Sequence, residues 1–234
     1  MTFINPYRFA AADNDPYFDD VLLLIGANGT DGSTSFIDES SYARTLTAVS
    51  DAQIDTAQSK FDGSSALFDG TDDYISVPYD TNFHLQASTP FTIEMWARFA
   101  GGSINRFMGM WASGAINAMW CFYLSGGDLK FRLYNGTTLY EVGGAFAPTA
   151  GQWYHIAVDR DSSNVMRVYA DGAVMGSATI SVASNDQFGK ILRVGGIENF
   201  SGAMDGHLDE VRFTQNVARY GGAFTPPTEH FPRS

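Results

Sequence analysis

The segment Phe91-Thr-Ile-Glu-Met-Trp-Ala-Arg-Phe99 alternates strictly between two classes of side chain. Every odd position in it is apolar. The even positions carry polar or amphipathic side chains, namely Thr92, Glu94, Trp96 and Arg98. Because successive side chains of a β-strand point to opposite faces, this period of two predicts a strand with one face in the core and a second, wetter face.

The same alternation recurs along the chain in short segments that end at Gly, Asn or Asp. Asp-Gly pairs at 31–32, 62–63, 69–70, 171–172 and 205–206, and Asn-Gly pairs at 28–29 and 135–136, favour tight turns because they adopt left-handed conformations at little cost. Further strands are predicted at 21–26, 66–69, 73–77, 104–111, 118–124, 129–134, 138–142, 155–159, 165–170, 190–194 and 207–213.

No window of helical length carries an apolar stripe with a period of 3.6 residues, and only short helical pieces near 81–85 and 217–220 are predicted. A single open sheet of a dozen strands would curl or leave long edges unpaired. The predicted fold class is therefore all-β, a two-sheet antiparallel β-sandwich of the jelly-roll type with extended N- and C-terminal arms.

Composition limits the partners of this chain. Its 234 residues include 14 Lys and Arg against 26 Asp and Glu, a net charge of −12, and no basic cluster. Nucleic acid and anionic membranes both bind basic patches, so neither is expected as the main partner. The single cysteine, Cys121, excludes an intramolecular disulfide, and the four histidines form no HExxH pair.

The first 20 residues do not predict a targeting signal. The longest apolar run, Val21 to Ile25, is far shorter than the roughly 20 residues that span a bilayer. The first 20 residues are interrupted by Pro6, Arg8, Asp13 and other polar positions, unlike a secretory signal. We therefore expect a protein that stays in the cytoplasm where it is made, or that leaves by a route such as cell lysis.

Both ends lack the alternation of the centre, so the sequence predicts an arm at 1–19, a domain at 20–223 and an extended tail at 224–234 with three prolines. The N-terminal arm is rich in aromatic residues: Phe3, Tyr7, Phe9, Tyr17 and Phe18. These rings either pack on their own domain or dock into a neighbouring subunit, and the sequence leaves both readings open.

The order of segments resembles a known family. Val21–Ile25, Asp31–Ser40 and Ala66–Pro78 are followed by Phe91–Phe99, Trp153–Arg160, Val168–Gly172 and Gly206–Phe213. Together they resemble laminin G-like, concanavalin A-like jelly rolls over about residues 20 to 230. The opening Asn5–Phe9 and the closing Arg219–Thr228 look most like the versions found in bacteriophage virion proteins. The resemblance implies a sandwich that often holds one structural calcium and binds glycans or proteins at a rim or a sheet face.

A glycan hydrolase is one alternative, because glucanases share this architecture. The resemblance to them would require a Glu-x-Asp-x-x-Glu string on one strand, which aims a catalytic pair of carboxylates into a cleft. No such string occurs, and Glu94 has Trp96 and Arg98 where partner carboxylates would stand. Asp209 and Glu210 are adjacent, so they point to opposite faces of a strand. We therefore expect no enzymatic activity.

Calcium is a second possibility, since the acidic chain supplies the oxygen ligands that this ion needs. Alternation in 207–213 predicts that Asp209 shares a face with Val211 and Phe213, directed toward the core, where a carboxylate needs a partner. The resemblance adds Asp38 as second ligand and Asp31 as a possible third. Alternatively, Asp209 accepts backbone N–H bonds and Asp38 caps a turn, which needs no metal.

Sugar recognition needs an aromatic ring beside polar groups. Trp96, with Glu94 and Arg98 beside it on the wetter face, fits this description. Further aromatic candidates stand near strand ends or turns: Trp111, Trp120, Tyr123 and Tyr134. The competing interpretation is that each tryptophan is plain core, which is how aromatic residues most often serve a fold, and Trp153 is assigned there.

The leading interpretation is a non-enzymatic virion surface module, either a phage capsid decoration or a tail or fibre adhesion protein. Its N-terminal arm would bind other virion proteins, its sandwich would bind a glycan on the host surface or a protein, and the chain could form a homo-oligomer. A structural cement protein without a ligand is the first alternative. A carbohydrate-binding module or glycan hydrolase is the second.

Overall fold

The computed structural model of the chain describes residues 14–111, 118–185, 190–198 and 202–234. Within these ranges the regular elements are strands and two short 3-10 turns, Phe18–Asp20 and Thr81–Phe83. The strands are β1 (Val21–Ile25), β2 (Thr47–Val49), β3 (Gln53–Asp55), β4 (Ser65–Asp69), β5 (Tyr74–Val77), β6 (Phe91–Phe99), β7 (Ile104–Trp111), β8 (Ala118–Ser125), β9 (Asp128–Tyr134), β10 (Leu139–Ala145), β11 (Trp153–Arg160), β12 (Val165–Ala170), β13 (Ala173–Thr179), β14 (Leu192–Val194) and β15 (Asp205–Gln215).

The strands form two antiparallel sheets. The eight-stranded sheet has the order β13-β12-β11-β6-β15-β4-β3, with β1 also paired to β15, and the seven-stranded sheet has the order β10-β9-β8-β7-β14-β5-β2. The predicted all-β sandwich is therefore confirmed. Every predicted strand is present, whereas β2, β3 and β13 were not predicted because the first two are only three residues long and β13 lacks strong alternation.

The core lies between the two sheets and follows the alternation. Ile93 and Met95 of β6 are fully buried there. Aromatic rings cross the interface, with Phe91 5.8 Å from Phe131 and Trp120 5.7 Å from Phe213 between ring centroids. These contacts remove large apolar surfaces from water, which is the main favourable contribution to folding.

The second face of β6 is not wet, so that part of the prediction is wrong. Thr92 and Glu94 are fully buried because Asp15 and the segment 217–231 lie across the outer face of the eight-stranded sheet. The Arg219 N–H donates to Thr92 Oγ1 at 2.9 Å. The Asp15 N–H donates to the carbonyl of Ser234, the last residue, at 2.6 Å. A polar strand face can thus be covered by another part of the same chain, provided that its groups find partners.

Residues that the sequence assigned to the two arms pack on this sandwich. Phe18 contacts the buried cluster of Val21, Leu24 and Phe231, and the Arg219 guanidinium lies 5.8 Å from the centroid of the Tyr17 ring. These contacts agree with the reading in which the rings pack on their own domain. The other three aromatic residues of the arm, Phe3, Tyr7 and Phe9, lie outside the described residues.

The segment 217–220 is irregular rather than helical, because Arg219 and its neighbours bond to the sheet instead of to each other. The predicted helical piece at 81–85 is confirmed as the 3-10 turn at 81–83. Over the parts of the chain that the structure describes, no helix has the length and apolar character needed to span a membrane.

Candidate functional site

The outer face of the seven-stranded sheet carries a small apolar cluster. Trp120 and Phe122 of β8 face the core, and alternation therefore turns Cys121 and Tyr123 outward. These two pack with Ile197 against the half-buried ring of Trp111. We call these four residues, Trp111, Cys121, Tyr123 and Ile197, the Trp111 cluster.

Two irregularities in β7 shape this face. The pairing of β7 with β8 shifts between Arg106 and Met108 and again between Met110 and Trp111. Such bulges re-aim side chains locally. Gly109 forms the floor beside them, since a Cβ atom there would lie 3.1 Å from Ile197 Cγ2 and 2.9 Å from the Trp120 carbonyl oxygen. A larger residue would push Ile197 out of the cluster.

A charged pair borders the cluster on the side of β9 and β10. Glu141 Oε2 accepts hydrogen bonds from Tyr123 Oη at 2.7 Å and from Arg132 Nε at 2.8 Å. The Arg132 guanidinium lies 5.0 Å from the centroid of the Tyr123 ring and 5.8 Å from that of Trp111. Partial burial raises the pKa of Glu141, but the hydrogen bonds from Tyr123 and Arg132 outweigh it and leave that pKa below its ordinary value.

Arg106 borders the cluster on the opposite side. Its Nη1 donates to the Gly202 carbonyl at 3.1 Å, and burial lowers the pKa of this half-buried guanidinium. A cavity of about 30 Å³ lies among Arg106, Arg132 and the Trp111 cluster, large enough for a water molecule. Burial raises the pKa of the Cys121 thiol to about 12, so the thiol is neutral near pH 7 and is not an activated nucleophile.

A larger cavity of about 220 Å³ opens at one rim of the sandwich, below the usual range for small-molecule sites. Its walls are the rings of Phe99 and Phe146 with Leu124, and its mouth is formed by glycine-containing turns at 101–103 and 125–127. The lining offers few polar side chains. The outer face of the seven-stranded sheet is therefore the better candidate for a site that must orient a polar ligand.

The predicted sugar-binding residues are divided between three environments. Glu94 and Trp96 are buried beneath the segment 217–231 and the loop at 58–61, where Lys60 Nζ lies 3.8 Å from the centroid of the Trp96 ring. Arg98 is half-buried on the same side of the molecule. Trp120 lies in the core, and its Nε1 donates to the Phe83 carbonyl at 2.9 Å. In this conformation Glu94, Trp96 and Trp120 offer almost no surface to a ligand.

The remaining three predicted residues, Trp111, Tyr123 and Tyr134, lie on the seven-stranded sheet. Tyr134 is half-buried on the outward side of β9, and its Oη donates to the Gly136 carbonyl at 2.8 Å. The charged neighbours Arg106, Arg132 and Glu141 were missed. A signal existed for two of them, because the Asn135-Gly136 turn between β9 and β10 sets Arg132 opposite Glu141.

The residues predicted to bind calcium are held by protein donors. Asp38 Oδ1 accepts the Leu24 and Ser40 N–H groups at 3.2 and 3.0 Å, which is the turn-capping arrangement considered above. Asp31 Oδ1 accepts the Thr56 N–H at 3.0 Å on an exposed loop. Asp209 Oδ2 accepts the Lys60 and Phe61 N–H groups at 2.9 and 3.1 Å.

Asp209 is buried as predicted, but the face assigned to it is wrong. Glu210 adopts a positive φ of 52°, and the register of β15 against β6 shifts immediately after Asp209. The extra residue reverses the alternation, so Asp209 pairs with Trp96 on the outer face, while Val211 and Phe213 remain in the core.

The structure does not bring Asp31, Asp38 and Asp209 together. Within the described ranges, the group with carboxylate oxygens close enough to share an ion is Asp69, Asp72 and Asp73, whose oxygens lie within 4.8 Å of one another. Both oxygens of Asp73 already accept backbone N–H groups, from Asp51 at 2.7 Å and from Asp69 at 2.9 Å. The predicted ligand set therefore does not fit a calcium shell, and calcium binding stays a prediction.

Several solved structures share the fold of this chain. Among solved structures, the binding domain of Paraclostridial Mosquitocidal Protein 1 has a TM-score of 0.68 at 14% identity over 87% of this chain and 51% of that one. The receptor binding domain of botulinum neurotoxin D has a TM-score of 0.63 at 13% identity, over 87% and 51%. The botulinum neurotoxin serotype D ligand binding domain in complex with N-acetylneuraminic acid has 0.62 at 12%, over 87% and 49%.

The chain spans about half the length of these solved structures, and at such identities they establish the fold alone. A search of curated proteins found no match. The family model described as concanavalin A-like lectin/glucanases superfamily, of the laminin G type, matches residues 69–218, well over half of the sequence. The match begins at the end of β4 and continues beyond β15, so it includes most strands of both sheets. The chain belongs to the concanavalin A-like lectin/glucanases superfamily.

Proposed function

We propose that the chain is a non-enzymatic binding module that holds a glycan on the outer face of the seven-stranded sheet. The observation that carries this proposal is the half-buried Trp111 ring, fixed against Tyr123 and bordered by the Arg132–Glu141 pair. An aromatic ring covers the apolar face of a sugar, while nearby charged groups bond to its hydroxyls. Both elements stand on paired strands, which hold them more firmly than loops would.

The solved structures support binding rather than catalysis. Each of the three is described as a binding domain, and one is in complex with N-acetylneuraminic acid. These descriptions concern those proteins, and they agree with the face described here without assigning its ligand. The superfamily also includes glucanases, so family membership leaves the choice between lectin and hydrolase to the site itself.

The carboxylates that the structure places near the proposed site favour a lectin over a hydrolase. A glycosidase needs a general acid, whose pKa is raised above its ordinary value, opposite a second carboxylate. The pKa of Glu141, beside the Trp111 cluster, is instead lowered by its hydrogen bonds to Tyr123 and Arg132. Glu94 is fully buried and engaged by Arg212 and His155, so it offers no group to a substrate in this conformation.

Replacing Trp111 by alanine should weaken glycan binding at least tenfold, because the ring supplies the apolar contact with the sugar. Binding is measured on a glycan array and then by calorimetry with the strongest hits. Trp153→Ala is the matched control, since Trp153 is also half-buried but lies on the other sheet. The proposal fails if Trp111→Ala binds as well as the unmodified chain, or if Trp153→Ala loses as much.

The proposal also assigns the module to a phage virion, as a capsid decoration or a tail or fibre adhesion protein. Residues 1–13 would attach the module to other virion proteins. Supporting features are the aromatic residues Phe3, Tyr7 and Phe9 in that segment and the resemblance of Asn5–Phe9 and Arg219–Thr228 to phage versions. A structural cement protein is the alternative, in which the same attachment reinforces subunit contacts, including those of a homo-oligomer, without a glycan.

Deletion of residues 1–13 should abolish attachment to particles while leaving the melting temperature unchanged. The cut must precede Asp15, because this buried carboxylate accepts a hydrogen bond from Arg219 Nη2 at 2.6 Å. Co-sedimentation with purified particles measures attachment, and calorimetry measures folding. Attachment that survives the deletion would place the anchor elsewhere. If the chain stabilises particles but binds no glycan, the cement-protein alternative is favoured.

A further inference from the structure

Charge is distributed unevenly over the two sheets. Strands β7 to β10 and the described segment 190–198, which contains β14, carry five cationic side chains, Arg106, Lys130, Arg132, Lys190 and Arg193, and three anionic ones, Asp128, Glu141 and Glu198. This net charge of +2 contrasts with −14 over the rest of a chain whose total is −12. The seven-stranded sheet thus presents positive charge on an acidic protein, which attracts anions toward this face.

The cationic groups stand in two adjacent cross-strand rows. In one row Arg193 pairs with Gly109, Gly109 with Cys121, and Cys121 with Arg132. In the next row Tyr123 is flanked by Arg106 on one strand and Lys130 on the other. Paired residues share a face, so the Trp111 cluster lies between guanidinium groups rather than beside a single one.

The two nearest guanidinium groups line the same cavity. Arg106 and Arg132 both border the 30 Å³ space against Trp111 and Tyr123, and their mutual repulsion contributes to the lowered pKa of Arg106. Arg132 uses Nε and Nη2 for Glu141, while its Nη1 has no hydrogen-bond acceptor among the residues that the structure describes. An anion placed between the two side chains would relieve this repulsion.

We propose that the ligand of this face is an anionic glycan, whose carboxylate or sulfate group lies between Arg106 and Arg132 while its sugar ring covers Trp111. The inference rests on the proposed glycan-binding function and adds the chemical class of the ligand. A neutral sugar would bring no negative charge into the space between the two guanidinium groups. An anionic group instead accepts charge-assisted hydrogen bonds from both, in the planar geometry that favours arginine over lysine.

Substitutions of Glu141 and Arg132 should change the affinity for anionic glycans in opposite directions. The carboxylate competes with the ligand's anion for Arg132, so Glu141→Gln should tighten binding of anionic glycans. Arg132→Gln should weaken binding of the charged forms at least tenfold more than it weakens binding of the neutral core. Arg167→Gln is the matched control, because it removes one positive charge from the eight-stranded sheet.

The probes are an array of matched oligosaccharides, each printed as its neutral core, its sialylated form and its sulfated form, and polyglutamate as a competitor. We expect the full chain to prefer the two charged forms at least tenfold and to lose that preference at 0.5 M salt. The anionic assignment would be overturned if neutral and charged forms bind equally, or if polyglutamate competes as effectively as the free charged oligosaccharides. Either result would leave the glycan site standing. Absence of binding to every member would overturn both proposals.

Discussion

Replacing Glu94 by glutamine is expected to lower the free energy of unfolding by about 3 to 5 kcal/mol, the usual cost of removing one partner from a buried ion pair. Glu94 is fully buried on the outer face of the eight-stranded sheet. Its Oε1 accepts Arg212 Nη2 at 2.7 Å, and Arg219 Nε lies 3.7 Å from the same oxygen. The substitution would leave two buried guanidinium groups with Asp15 as their remaining carboxylate partner.

The pH dependence of this effect follows from the same contacts. Burial raises the pKa of Glu94, but Arg212, His155 and Arg219 outweigh it and hold the pKa well below its ordinary value of 4.5. A carboxyl whose pKa is lower in the folded state stabilises that state above the unfolded pKa, and the stabilisation is lost as the pH falls. The difference between the unmodified chain and Glu94→Gln should therefore be full at pH 7 and should shrink below about pH 4.5.

Urea denaturation at pH 7 measures the free energy, and a calorimetric melting temperature about 6 to 20 °C lower is expected for a chain of this length. Glu141→Gln is the matched control, because Glu141 pairs with Arg132 where both side chains are 34% exposed, and exposed pairs contribute below about 1 kcal/mol. Equal losses in the two variants would mean that the buried ions contribute no more than a surface pair does.

The sandwich itself was predictable because its signal is local. Alternation within β6, β9 and β15 depends on neighbouring residues only, and the turns at 62–63, 69–70, 135–136 and 171–172 contain Asp-Gly or Asn-Gly pairs that are visible in the sequence. The apolar positions of β6 all face the other sheet, as the period of two requires. The positions of twelve of the fifteen strands in the described residues followed from these signals.

The burial of Glu94 was not predictable in the same way. Its partners lie far along the chain, with Arg212 118 residues away and Tyr220 126 residues away. A polar strand face looks identical in sequence whether water or the chain's own terminus covers it. The sequence of residues 217–234 does not show which sheet this segment crosses. Glu94 and Trp96 were therefore assigned to a ligand surface, although the segment 217–234 and the loop at 58–61 cover them.

The Trp111 cluster was predicted only in part for a related reason. Trp111 and Tyr123 were singled out from their places near strand ends or turns, but the orientation of Trp111 depends on two bulges in β7 that break the alternation. Arg132 and Glu141 become neighbours through the β9–β10 hairpin, which a register argument from Asn135-Gly136 could have found. The contribution of Arg106 depends on β7 pairing with β8, and the position of its bulge has no clear sequence signal.

One inserted residue, Glu210, places Asp209 on the opposite face of the sheet from the predicted one. With Glu210 in the left-handed region, the carboxyl faces the loop at 58–61 instead of the core between the sheets. Its Oδ2 accepts two backbone N–H groups, whereas its buried Oδ1 has no hydrogen-bond partner among the described residues. Burial, with a smaller contribution from the neighbouring Glu210, raises the pKa of Asp209 from 3.8 to about 7.

Replacing Asp209 by asparagine is therefore expected to stabilise the fold at pH 8 by about 2 to 4 kcal/mol, since each pH unit between the two pKa values corresponds to about 1.4 kcal/mol. Well below pH 3.8 the carboxyl is protonated in both states and costs nothing. As the pH rises toward 7, the unfolded chain ionises Asp209 while the folded chain resists, so the unmodified protein loses stability over this interval. Asparagine keeps the acceptor for the Lys60 and Phe61 N–H groups and has no proton to lose.

Urea denaturation of both proteins at pH 4.5 and pH 8, with EDTA and with calcium, separates this explanation from the metal prediction. A buried, uncompensated carboxyl predicts that Asp209→Asn is more stable at pH 8, that the gain is small at pH 4.5, and that neither value responds to calcium. A calcium ligand predicts the reverse, because the substitution would then remove a charge that the ion needs and would abolish any stabilisation by calcium. The sign of the change at pH 8 thus decides whether the bulge at Glu210 buries an unneeded charge or positions a ligand.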